Sequence, residues 1–272
     1  MLPISIIVPC YNSAPTLARA LDSCIAQREA VQILVVDDGS TDASAEIVFG
    51  YARHDTRVHL LQMPMNSGAA RARNWGALHA TAAVLAFLDA DDEYMPGALA
   101  DAGAWLDQHP REAAIRLDVE FAGFPESVLA HPDFPMHAAT LSNTVPSSLV
   151  IRRSAFLALG GFPIDDFFRQ YGGEDGALSW ALRETFGQRR LDDMKRVRMH
   201  YHDGIHAERF FRIQAGLQTP DPGDSAAVVQ CSRQFLEHAL AAVKQLRALN
   251  VSEAVNPRAA AVAGEIASYV AG

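Results

Sequence analysis

A chain of 272 residues with a hydrophobic fraction of 49% carries enough apolar side chain for one large α/β domain, with or without a helical appendage. Its formal net charge of −9 lacks the basic footprint of a nucleic-acid partner and argues against a basic membrane-surface patch. Cys10, Cys24 and Cys231 have no metal-type spacing and fit a reducing cytoplasm, and neither a membrane span nor a signal peptide is expected from the apolar pattern.

Along the chain, Ile4–Val8 reads as a buried strand running into Pro9-Cys10-Tyr11-Asn12. A helix starts near Ser13, with Pro15 in its first turn where a missing N–H costs nothing, and turns Leu17, Leu21, Cys24 and Ile25 toward the sheet. Ile33–Val36 is the second strand and runs into Asp37-Asp38-Gly39-Ser40. Ser40, Thr41 and Asp42 are competent N-caps for a helix carrying Ile47, Val48 and Tyr51 inward. Val58–Leu61 is a third strand, Ser67–His79 a third helix and Ala83–Leu88 a fourth strand; Pro96 opens a fourth helix ending near His109-Pro110.

Beyond Pro110 the alternation stops. Ala114–Phe121 reads as a strand. The stretch from Phe124 to Pro146 is broken by Pro125, Pro132, Pro135 and Pro146 and holds His131, Phe134, Met136 and His137. It reads either as substrate-facing loops or as an ordinary irregular connection. Ser154–Leu159 is helical and stops at Gly160-Gly161; Gly172-Gly173 precede a helix from Glu174 to about Phe186; Val197–Tyr201 is a strand candidate. Thr219–Asp224 reads as a turn or linker. Val228, Val229, Phe235, Leu236, Leu240, Val243 and Leu246 then form an amphipathic stripe, and an Ala-rich helix is expected from Asn256-Pro257.

Strands alternating with helices imply a parallel sheet with right-handed crossovers, so the polar strand tips fall on one edge. In open α/β sheets that edge binds ligands. The fourth strand ends in Asp89-Ala90-Asp91-Asp92. Two Asp side chains one residue apart can converge on one hard divalent cation, which is usually held together with phosphate oxygens. The edge therefore reads as a nucleotide-sugar site.

In order, Val8–Asn12, Val36–Ser40, Asn66–Asn74 and Phe87–Asp92 resemble the successive motifs of family 2 glycosyltransferases, which have the GT-A fold. The resemblance continues through Arg152–Phe156, Gly160-Gly161-Phe162 and Gly173-Glu174-Asp175, and so covers the first two thirds of the chain. It implies a Rossmann-like, mostly parallel α/β sheet flanked by helices. Residues 1–110 would be the nucleotide-sugar-binding half, 111–218 the acceptor-side half and 219–272 a helical C-terminal extension that offers an oligomer interface. The implied reaction is hexosyl transfer with inversion from a nucleotide-diphospho-sugar, expected to be a UDP-sugar, to a saccharide or other hydroxyl acceptor. Mn²⁺ or Mg²⁺ is the implied cofactor.

The same resemblance distributes roles. Asp91 ligates the metal, and Asp89 lies nearer the ribose or the metal's water shell; Asp92 either ligates the metal or caps the next helix. Pro9, Tyr11 and Asn12 hold the uracil side of the donor, although Tyr11 has the alternative of a core aromatic. Asp38 offers its carboxylate to the base. Arg73, in an Ala-Arg-Asn triplet, reaches a phosphate or the base, while Arg71 occupies another helical face and fits solvent better. Asp175 is the general base, with Glu174 beside it on the acceptor side; the plainer role for Asp175 is an acid favoured by a helix N-terminus. His200, His202 and His206 form His-x-His-x-x-x-His, from which His200 or His202 would meet the metal or diphosphate; an independent zinc is the other reading.

Two rival functions remain. A sugar nucleotidyltransferase would place a Gly-rich loop with Arg and Lys after the first strand, where this chain has Pro9-Cys10-Tyr11-Asn12. A catalytically silent nucleotide-sugar-binding module would have no use for Asp91 together with Asp175.

Overall fold

In a computed structural model that describes residues 2–219 and 222–248, the apolar runs become the centre of one sheet. The helix expected from Asn256-Pro257 lies outside the described residues. Strands β1 (Ile4–Cys10), β2 (Ala30–Asp37), β3 (Val58–Gln62) and β4 (Val84–Phe87) are mutually parallel where they pair. They alternate with helices α1 (Leu17–Ile25), α2 (Ser44–Ala52) and α3 (Ala69–His79).

Every residue of β1 and β4 is buried, as a strand covered on both faces requires. The period of two divides the core. Ile4, Ile6 and Val8 join Leu17, Leu21 and Val48 on one face, whereas Ile7 joins Leu34, Val36 and Phe87 on the other. Helix α3 lies very close to that second face. A Cβ on Gly76 would stand 2.6 Å from the Ile7 Cγ2, so glycine is what the approach demands.

The second half adds strands β5 (Glu93–Tyr94), β6 (Ala114–Ala122), β7 (Leu149–Arg152) and β8 (Arg190–His200), giving the order β3-β2-β1-β4-β7-β6-β8-β5. β7 runs antiparallel to both β4 and β6, and β5 antiparallel to β8, while β6 and β8 are parallel. The C-terminal ends of β1, β2, β4 and β8 therefore share one edge. β8 is longer than the apolar segment Val197–Tyr201 suggests. Its charged residues are satisfied laterally: Lys195 with Asp118 at 2.5 Å, Arg198 with Glu120 at 2.7 Å and Arg196 with Asp101 at 2.9 Å.

Helix α4 (Ala98–Gln108) covers this half, followed by α5 (Glu126–Leu129) and α6 (Phe134–Ser142). The proline-broken stretch is thus largely helical rather than looped. Pro125 is the N-cap of α5, Pro135 lies in the first turn of α6 and Pro146 opens a 3₁₀ turn at Pro146–Ser148. These prolines start helices, because a first-turn residue has no N–H bond to lose. Helices α7 (Arg153–Ala158), α8 (Asp166–Tyr171), α9 (Glu174–Phe186), α10 (His206–Gln214) and α11 (Pro222–Ala248) complete the fold. Helix α11 docks on the body through Leu236 and Ala239, which join Leu178, Ala181 and Leu182 of α9 in the second core. No described helix is long and apolar enough to cross a membrane.

Candidate active site

The polar tips of β1, β2 and β4 line a cavity of about 570 Å³, and a second of about 790 Å³ adjoins it. Pro9, Tyr11, Asn12 and Asp38 line the smaller lobe; Glu174 and Asp175 line the larger. Arg73, Asp89, Asp91 and His202 line both, so the two lobes meet at the Asp-x-Asp motif.

Tyr11 is 48% exposed, which removes the core-aromatic alternative. Asn12 takes the left-handed conformation at φ 49°, and its Oδ1 accepts the Thr41 N–H at 2.8 Å, tying the β1 tip to the β2 tip. Asp38 is buried, and its two carboxylate oxygens each accept a backbone N–H at 2.7 Å, from Ser67 and from Gly68. It anchors the loop entering α3, with a second lone pair on each oxygen still open to a ligand.

Arg73 is buried on α3. Its Nη2 donates to Asp89 Oδ1 at 2.5 Å, its Nη1 lies 3.9 Å from Glu174 Oε1, and its guanidinium stands 5.2 Å over the Phe162 ring. The charge pattern around it, Asp89, Glu174 and Asp175, holds the guanidinium above its ordinary pKa despite a burial that works the other way. Arg73 thus bridges the carboxylates of the two lobes. Arg71 is not merely solvated: it donates to the Ile164 carbonyl at 2.9 Å and pairs with Asp166 at 3.2 Å.

Asp91 Oδ2 lies 3.0 Å from His202 Nε2. Burial, and then the neighbouring Asp89, push the Asp91 carboxyl above its usual pKa; His202 pulls the other way. Asp92 does not cap α4, whose N-cap is Gly97. It is buried, it accepts the Ser147 hydroxyl at 2.6 Å, and desolvation followed by repulsion from Asp91 and Asp89 raises its pKa well above the ordinary carboxylate range. Ser147 also accepts the Asp89 N–H at 3.1 Å, so one serine under the motif fixes both ends of it.

The histidines separate. His202 meets Asp91, His200 faces Glu93 at 3.2 Å, and His206 lines the larger lobe, so the three do not share one site. His200 lines neither lobe.

On the far side, Gly173 caps α9 at φ 100°, and a Cβ there would also come within 2.9 Å of Val228 Cγ1 on α11. That glycine lets Glu174 and Asp175 open the helix directly into the larger lobe. Burial first, then Asp175, raise the Glu174 carboxyl, with Arg73 opposing. Arg116, fully buried in β6, ties the underside together through Val145 O at 2.9 Å, Ser148 Oγ at 3.1 Å and Ser179 Oγ at 2.5 Å. Ser147, Arg116 and Glu93 escaped sequence reasoning. The polar pair Ser147-Ser148 just before an apolar run was the available signal for the first.

Residues 5–130 match the family model described as glycosyl transferase family 2. They belong to glycosyltransferase family 2. The chain is 43% identical over 94 residues to the uncharacterized glycosyltransferase YibD of Escherichia coli, covering 34% of this chain and 27% of that protein. It is 38% identical over 96 residues to the succinoglycan biosynthesis protein ExoU of Rhizobium meliloti, covering 35% and 28%. The alignments thus span little more than a quarter of these relatives. The whole fold is that of GT-A glycosyltransferases. S. aureus TarS 1-349 in complex with UDP-GlcNAc aligns with a TM-score of 0.61 at 20% identity, over 94% of this chain and 77% of that one. The mannosyltransferase PcManGT from Pyrobaculum calidifontis, in complex with GDP-Man and Mn²⁺, aligns with a TM-score of 0.61 at 21% identity, over 99% and 85%.

Proposed function

We propose that this glycosyltransferase is metal-dependent and inverting, and moves a hexosyl group from a UDP-sugar to a hydroxyl acceptor. The observation that carries this reading is the meeting of two lobes across Asp89, Asp91, Arg73 and His202, with Asp175 lining the second lobe. The donor half is 1–110, the acceptor-side half 111–218 and the C-terminal extension 219–272. The UDP-GlcNAc bound to TarS supports the nucleotide, and the Mn²⁺ of PcManGT supports the cation class.

Asp91 and His202 offer an oxygen and a nitrogen 3.0 Å apart, and Asp91 is a carboxylate that burial destabilises and a cation would relieve. That donor set fits Mn²⁺ or Mg²⁺ completed by waters and diphosphate oxygens, and favours His202 over His200 for the role. Bound there, the cation would offset negative charge developing on the departing diphosphate. Tyr11 and Pro9 cover the base. Asp38 keeps the Ser67-Gly68 wall in place. Arg73 holds Asp89 and Glu174 together, which sets the distance between donor and acceptor carboxylates. Asp175 takes the acceptor proton while that oxygen attacks the anomeric carbon opposite the leaving nucleoside diphosphate. The unpaired thiols Cys10, Cys24 and Cys231 are in keeping with a cytoplasmic location.

The test is a donor panel with Mn²⁺ or Mg²⁺, followed by Asp175→Asn. The variant should lose about 10²–10⁴-fold in turnover while binding UDP normally without acceptor. NMR of the product should show the anomeric configuration opposite to the donor's. Retention, or full activity of Asp175→Asn, rejects the assignment.

A further inference from the structure

We propose that His131, Asp133 and His137 form a second metal site, a zinc clasp at the start of α6, separate from the Asp91 site. One ligand atom from each residue lies within 4.8 Å of the others. The spacing has a helical cause. Asp133 is the N-cap of α6 and its carbonyl accepts the His137 N–H at 3.1 Å, so the two side chains, one turn apart, share a face. His131, two residues upstream, lies beside that face with its ring 6.3 Å from the His137 ring.

A second observation points to a ligand. His137 is 8% exposed, and its imidazole makes no hydrogen bond among the described residues; the Phe210 ring stands edge-on 6.4 Å away. A cation would give that imidazole a partner. His131 Nδ1 accepts the Asp133 N–H at 3.2 Å, a long contact that a cation can displace. Half-buried His131 and exposed Asp133 leave the group open to solvent for metal entry.

Two imidazoles and one carboxylate select a borderline ion such as Zn²⁺ over the hard ions proposed at Asp91. Three protein ligands leave a fourth, tetrahedral position to water. Downstream on the same helix, Thr140 and Leu141 line the larger lobe, so the clasp would anchor the helix that walls the Asp175 side.

The experiment titrates Zn²⁺ into the untagged, metal-stripped full chain against a chromophoric chelator. One zinc should bind, and it should be retained in Asp91→Asn. Asp133→Asn and His137→Gln should each weaken it by at least about tenfold, since losing even an outer partner of a metal ligand costs about 10–100-fold. Asp133→Asn changes an exposed side chain that makes no capping bond, so it reports even if His137→Gln does not fold. No zinc bound by the unmodified chain, zinc lost in Asp91→Asn, or unchanged affinity in Asp133→Asn overturns the proposal.

Discussion

Replacing Arg73 by Gln removes the cation on which the two lobes of the site converge. The side chain is 6% exposed, bonded to Asp89 at 2.5 Å and 3.9 Å from Glu174. Removing one partner of a buried ion pair costs about 3–5 kcal/mol, because the remaining charge is left unpaired. The Asp89 side chain is 26% exposed and gains some water, which favours the lower end, about 3 kcal/mol. At about 2–4 °C per kcal/mol for a domain near this size, Tm should fall by about 6–12 °C at pH 7. Thermal and urea unfolding followed by circular dichroism measure the loss. Adding Asp89→Asn removes the orphaned charge, so the double variant should recover at least about 1 kcal/mol, a coupling typical of residues in contact. A loss in Arg73→Gln below about 1 kcal/mol, or a double variant no more stable than the single one, would refute a desolvated Arg73–carboxylate bridge.

Asp92 is buried beside Asp91 and Asp89 with a pKa well above the ordinary carboxylate range, so its ionisation opposes folding. That penalty is absent below the unfolded carboxyl's pKa near 4 and grows as pH rises toward the folded value. Asp92→Asn keeps an acceptor for Ser147 and should therefore gain stability at pH 7 and none at pH 3; equal shifts at both would reject the electrostatic cause. Gly76→Ala should gain about 1 kcal/mol of helix propensity yet lose more, because its Cβ would meet Ile7 Cγ2 at 2.6 Å and Val36 Cγ2 at 3.1 Å. Overpacking of this kind costs about 1–3 kcal/mol, so a raised urea midpoint would show that α3 sits farther from the sheet. Burial pushes the thiols of Cys10 and Cys24 up, leaving less thiolate at pH 8. Iodoacetamide should label half-buried Cys231 first, read by peptide mass spectrometry, and early labelling of Cys24 would contradict the buried face of α1.

The first four strands and their helices were legible because each signal is local. Runs such as Ile4–Val8 bury both faces, and the polar residues that end them must emerge at the sheet edge whatever the rest of the chain does. Asp89 and Asp91 could be singled out for the same reason. β7 stayed hidden because Leu149–Arg152 is a four-residue strand whose identity depends on partners at β4 and β6, far away in sequence. β8 was read short because its charged half is stabilised by Asp118, Glu120 and Asp101, which no window around residue 193 contains. Likewise, the spacing of His200 and His202 gave no way to choose between them. Packing separates them, by turning His200 to Glu93 and His202 to Asp91. Sequence determined which groups reach the edge, since burial periodicity is a property of neighbouring residues. Tertiary structure decided which of those groups meet, since Arg73 reaches Glu174, 101 positions away in the chain, only after the sheet has closed.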